Sequence, residues 1–137
     1  LPENKNFIEK IKMDGELLAV IIRREFNEEG RHFLTPVESP LQLGVHVRDA
    51  GTEIKPHVHK VFSKLENLPS HEVFFILEGR IQVDIFKGRE KVASCILRSG
   101  DVALMMSGHS VRFLEKSRMV EIKQGPYRGV ENEKEFI

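Results

Sequence analysis

From Phe7 to Lys123 the chain is written as short runs of β-branched and aromatic residues, each cut off within a few positions by Gly, Asn, Asp, Ser or Pro. That punctuation leaves no stretch for a long amphipathic helix and points to a sandwich or barrel of many short strands. Asp14-Gly15 suits a two-residue type I′ turn between Phe7–Met13 and Glu16–Phe26. The second of these runs, with Leu17, Leu18, Val20, Ile21 and Ile22, also reads as a short helix, and polar Asn27–Arg31 reads as a loop. Leu41–Arg48 alternates, with Leu41, Leu43, Val45 and Val47 on one face and Gln42, His46 and Arg48 on the other. This is the pattern of a half-buried strand whose polar face meets water. Glu72–Leu77 is apolar on both faces and belongs in the middle of a sheet, with Ile81–Phe86 returning beside it. Val92–Leu97, Val102–Met106, His109–Leu114 and Arg118–Lys123 follow, separated by Ser99-Gly100-Asp101, Ser107-Gly108 and a charged turn. Gly125-Pro126 ends the series, because proline cannot donate to a ladder. The class is all-β.

Composition narrows the function. At 137 residues the chain is sized for one domain. Lys plus Arg and Asp plus Glu both number 21, so the broad positive field of a nucleic-acid binder is missing. No apolar run approaches the ~18 residues of a membrane span, and no signal-peptide pattern opens the chain. Cys95 is the only cysteine and has no partner for an internal disulfide, which fits a reducing compartment. The expectation is a cytoplasmic protein without nucleic-acid or membrane partners.

Chemistry enters at His57-Val58-His59. Side chains two apart on a strand leave the same face, so both imidazoles can converge on one ion. A pair alone is a weak motif, and its surroundings give it weight. Gly51 stands five intervening residues before His57, and Glu72 six before Gly79. The pattern Gly-x5-His-x-His followed by Glu-x6-Gly resembles the first signature of the cupin superfamily. "HEVFFILEGRIQVDI" resembles its strand-turn-strand, and "RSGDVALMMSGHSVRF" its second signature. The resemblance covers Leu41 to Lys123. It departs from the family in three places: the long Lys60–His71 segment, Met106 where proline is usual, and Val111 where the last histidine is usual. A two-residue shift keeps a side chain on its face, so strand parity nominates His109 instead.

The resemblance implies a single cupin domain, a jelly-roll-like double-stranded β-barrel with an N-terminal β-hairpin. Residues 1–40 would pack on the barrel, 41–125 would form it, and 126–137 would be a tail that docks or frays. It implies one divalent metal (zinc, iron, nickel or manganese) held by His57, His59, Glu72 and His109. His46, Glu121 and Lys123 are pocket candidates, although Glu121 and Lys123 also read as a solvated edge. His71 should be a surface residue, His32 has no role, and the Lys60–Ser70 insert reads as a loop at the barrel mouth. The ending "EIKQGPY", with "KPHVHK" and "SGH", is similar to small cupins found among bacterial surface-polysaccharide genes. That likeness implies a sugar-derived small-molecule ligand, and the family implies a homodimer, with the Phe7–Phe26 hairpin as a candidate contact. Three functions stay open: a metal-dependent enzyme acting on a sugar or sugar nucleotide, a non-catalytic binding or regulatory module, and a metal-independent epimerase or ketoisomerase. The last would need a tyrosine acid, and Tyr127 is the only tyrosine.

Overall fold

The computed structural model describes residues 2–5, 7–59, 70–126 and 134–137, with backbone alone at 2–5 and 59. All regular structure among them is β-strand, and no helix is long and apolar enough to cross a membrane. Strands β1 (Pro2–Lys5), β2 (Ile8–Met13) and β3 (Glu16–Ile22) form an antiparallel sheet of their own. The Asp14-Gly15 turn joining β2 and β3 has φ of 52° and 80°, the left-handed pair that a type I′ turn requires. The run also readable as a helix is therefore a strand, held by its ladder to β2.

The other strands are β4 (Gly30–Phe33), β5 (Leu41–Arg48), β6 (Glu53–His59), β7 (Glu72–Glu78), β8 (Arg80–Lys87), β9 (Glu90–Arg98), β10 (Val102–Met105), β11 (Gly108–Phe113), β12 (Ser117–Gln124) and β13 (Lys134–Phe136). They make two five-stranded antiparallel sheets, one in the order β10-β7-β12-β5-β4 and the other β13-β6-β11-β8-β9. From β5 to β8 and from β10 to β13 the chain switches sheet at every step, which is jelly-roll connectivity. Two strands lie outside the expected 41–125 core. The polar segment read as a loop supplies β4, and the tail supplies β13, each extending a sheet edge.

Between the sheets, Phe74, Ile76, Met105 and Met119 from one meet Ile81, Val83, Val111 and Phe113 from the other. Burying each is worth about 1.5–3 kcal/mol before chain entropy is set against it. A second cluster sits outside the barrel, where Ile8, Val20, Ile22 and Phe26 of the N-terminal segment cover Val45, Val47 and Val120. This corrects the reading of Leu41–Arg48. The apolar face of β5 points outward under the hairpin, and its polar face points into the barrel, where His46 is 1% exposed. Ile8, Val20 and Ile22 of the hairpin thus pack on its own barrel, while Phe7, Met13 and Leu18 stay half or more exposed.

Candidate metal centre

One half of the interior is apolar and the other half holds the buried polar groups. His57 on β6 and His109 on β11 are direct cross-strand neighbours, with ring centroids 4.7 Å apart. Gly108 lets the two strands approach, since a Cβ there would lie 2.7 Å from Val58 Cγ1. Glu72 arrives from β7 in the facing sheet, and all three residues are buried. The ladder of β11 against β6 shifts between His109 and Val111, yet both residues point inward at 1% exposure.

Hydrogen bonds orient the rings. Nδ1–H of His57 donates to the Lys55 carbonyl oxygen at 2.7 Å, and Nδ1–H of His109 donates to that of Ser107 at 2.9 Å. In the neutral imidazoles this puts the ring lone pair on Nε2, the tautomer a metal ligand needs. Nε2 of His109 faces Glu72 Oε1 at 3.1 Å. Two acceptors at that distance require a cation between them, either a proton or a metal ion. One ligand atom each from His57, Glu72 and His109 lies within 4.8 Å of the others. Metal–ligand bonds of roughly 2.0–2.2 Å fit that triangle with a few tenths of an ångström of closure.

Beside this group, His46 Nε2 and Glu121 Oε1 are 2.8 Å apart, with side chains 2% and 7% exposed. Burial, then the positive charges of Arg31 and Arg48, pushes His46 down to about 3. Burial, then the nearby charge of and hydrogen bond to Glu72, holds Glu121 well above the usual carboxylate range. The pair is therefore neutral, and one proton bridges the 2.8 Å contact. This fixes the pH dependence of the metal-free fold. Below 6.5 the unfolded chain protonates His46 and the folded chain does not, down to about 3. Above 4.5 the folded chain keeps a proton on Glu121 that the unfolded chain releases. The two effects cancel between 4.5 and 6.5. Stability is then lost as pH falls from 4.5 to 3, by about 2 kcal/mol, and as pH rises past 6.5. Urea denaturation in a chelator at stepped pH should show that plateau and both limbs, and His46→Phe should flatten the acid limb.

Arg31, Lys123 and Lys134 also line a cavity of about 10 Å³ that touches His46, His57, Glu72, His109 and Glu121. That is room for roughly one water-sized sphere. The Arg31 guanidinium and Lys123 Nζ lie 5.4 and 4.9 Å from the centroid of one ring, Phe33. Burial lowers the Lys134 ammonium below its usual value.

The structure thus brings His57, Glu72, His109, His46, Glu121 and Lys123 to one cavity. Glu121 lies on β12, an interior strand flanked by β7 and β5, rather than on a solvated edge. His59 closes β6, but its side chain lies outside the described residues, as do 60–69 of the insert and Tyr127. His71 is half-buried rather than at the surface. His32 ties its own loop, its Nε2 lying 2.9 Å from the Glu28 carbonyl oxygen and 3.2 Å from that of Glu29. Sequence reasoning missed Arg31 and Lys134, the first placed in a loop and the second in the tail.

No family profile and no curated protein matches the sequence. Solved structures match in fold. Oxalate decarboxylase from B. subtilis superposes with a TM-score of 0.61 at 18% identity, over 80% of this chain and 29% of that one. Protein BH2720 from Bacillus halodurans gives 0.61 at 16% identity, over 77% of each chain. KdgF from Halomonas sp. gives 0.54 at 20% identity, over 74% of this chain and 81% of its own. The two facing sheets with jelly-roll connectivity match the fold of these cupins, so the chain has the cupin fold.

Proposed function

We propose that the protein binds one divalent metal ion, zinc, iron, nickel or manganese, through His57, His59, Glu72 and His109, and presents it to a small molecule. The observation that carries this is the buried convergence of His57, Glu72 and His109, one ligand atom of each lying within 4.8 Å of the others. His59 joins the set through its two-residue spacing from His57. Three imidazoles and one carboxylate leave open positions on a five- or six-coordinate ion, where a substrate oxygen can bind. The reading is a cytoplasmic metal-dependent enzyme. A sugar-derived substrate rests on the sequence resemblance, and a small one is favoured by the size of the cavity. The non-catalytic alternative shares the site and is separated by turnover. A homodimer finds support in the outer face of the first barrel sheet, where Leu41, Val102 and Leu104 are more than half exposed.

Ion binding to the folded chain alone should raise its melting temperature. At a hundredfold excess of ion over Kd the gain is about 2.7 kcal/mol, or roughly 10 °C for a chain of this size. Chelator-stripped protein titrated with each ion in a thermal melt reads this directly. A melting temperature that no ion raises contradicts the proposal.

A further inference from the structure

We propose that a slot outside the barrel, between the N-terminal hairpin and the first barrel sheet, takes an extended peptide of alternating apolar and basic residues as an added strand. The slot has a volume of about 970 Å³ and shares no described lining residue with the candidate metal centre. Every residue from Asp14 to Val20 lines it. Side chains on a strand alternate between its faces, so β3 presents its edge here rather than one face. That edge is open: in the order β1-β2-β3, no described strand pairs with the far side of β3. The opposite wall is the start of β5 and the loop before it.

The walls are apolar and the rim is acidic. Leu17, Leu18 and Val20 stand across from Leu41, Leu43 and Ile122, and Leu18 and Leu41 are 56% and 59% exposed. Asp14, Glu16 and Glu38 also line the slot, and no described Lys or Arg does. No ion pair ties any of the three carboxylates to a described residue. Lys10 and Lys12 belong to β2, on the other side of β3 from the slot. The far wall is pre-formed. Gln42, 3% exposed, donates to the carbonyl oxygens of Pro36 at 2.9 Å and Ser39 at 3.1 Å and accepts from Thr35 Oγ1 at 3.0 Å. A wall held in this way has little freedom left to lose on binding. The backbone edge selects a peptide, because a hydrocarbon chain would cover the N–H and C=O groups of β3 without pairing them. An added strand pairs them while its alternate side chains reach the apolar walls. Lysine or arginine between those side chains meets the acidic rim. Two copies joined slot to slot would set like charges together, and a nucleic acid would be repelled.

The test uses the full chain and a fluorescent, capped peptide of alternating lysine and valine, followed by anisotropy. The peptide should bind, and more weakly as salt rises. An alternating glutamate–valine peptide, a lysine–serine peptide and the lysine–valine peptide N-methylated at alternate residues should each bind about tenfold more weakly or worse. Leu18→Ser should weaken the lysine–valine peptide about fivefold or more, and Glu16→Gln or Glu38→Gln about two- to fivefold each. All three residues are exposed, so melting temperature and metal content should stay at wild-type values. Absence of binding overturns the proposal. So does binding that ignores both the N-methylation and Leu18→Ser, which would be adhesion to surface charge. Self-association of the wild type that Leu18→Ser abolishes would assign the slot to a second copy and overturn it as well.

Discussion

Gly79→Ala is expected to cost about 3–5 kcal/mol, a large part of the 5–15 kcal/mol by which a domain of this size is stable. Gly79 turns the chain from β7 into β8 with φ of +101°, a conformation that strains any residue with a Cβ by about 1–3 kcal/mol. The added carbon also has nowhere to go. It would collide with Ser117 Oγ and lie 2.7 Å from the Lys116 carbonyl oxygen, which is backbone and cannot swing aside. Ser117 is fully buried, accepts from the Arg80 N–H at 3.2 Å and donates to the Glu115 carbonyl oxygen at 2.8 Å. Displacing it breaks bonds worth about 1 kcal/mol each. Gly88 is the control, because its φ is +61° but a Cβ there meets nothing within 4 Å. Gly88→Ala should therefore cost only about 1 kcal/mol. Urea denaturation of the two variants separates backbone strain from collision, and equal losses would refute this account of the turn.

Glu72→Gln should lower affinity for the ion by about 100-fold or more while leaving the metal-free fold intact. The amide keeps the shape of the side chain and removes the charge that an ion needs. It also removes the negative charge that helps hold the neighbouring Glu121 in its protonated form. Two buried carboxylates side by side are tolerated for what they bind, so the metal-free variant should match wild type or gain about 1 kcal/mol. The basic limb of its stability profile should recede with the repulsion. Ion titration and chelator-treated melts of the same preparation measure both effects. A variant that loses stability without metal would show that Glu72 serves the fold rather than the ion.

Local signals in this chain proved legible, while the choice between two covered faces did not. Asp14-Gly15 marks its hairpin because both residues must take positive φ, a demand that few residue pairs meet. The inward facing of His109 follows from parity alone, since it and Val111 must share a face wherever the barrel interior lies. His46 was harder. Alternation along β5 separates two faces, but it names the inner one only when the other meets water. Here the hairpin covers the outer face with Ile8, Val20, Ile22 and Phe26, so the polar face could turn inward. Arg31 and Lys134 reach the site through edge pairings with His46 and His59, contacts between distant parts of the chain that no local pattern encodes. The carbonyls of Lys55 and Ser107, which set the tautomers of His57 and His109, were equally hidden, because backbone acceptors carry no residue signature.

The central claim is the ion, and metal content tests it most directly. Protein purified without chelator, or incubated with zinc, iron, nickel and manganese and then desalted, should carry about one ion per chain by elemental analysis, as one four-ligand site requires. The His57→Ala/His109→Ala variant, shown to be folded by circular dichroism, should carry less than about a tenth of that. Wild-type protein that retains no ion from any of the four solutions would contradict the account, as would a folded double variant with unchanged metal content.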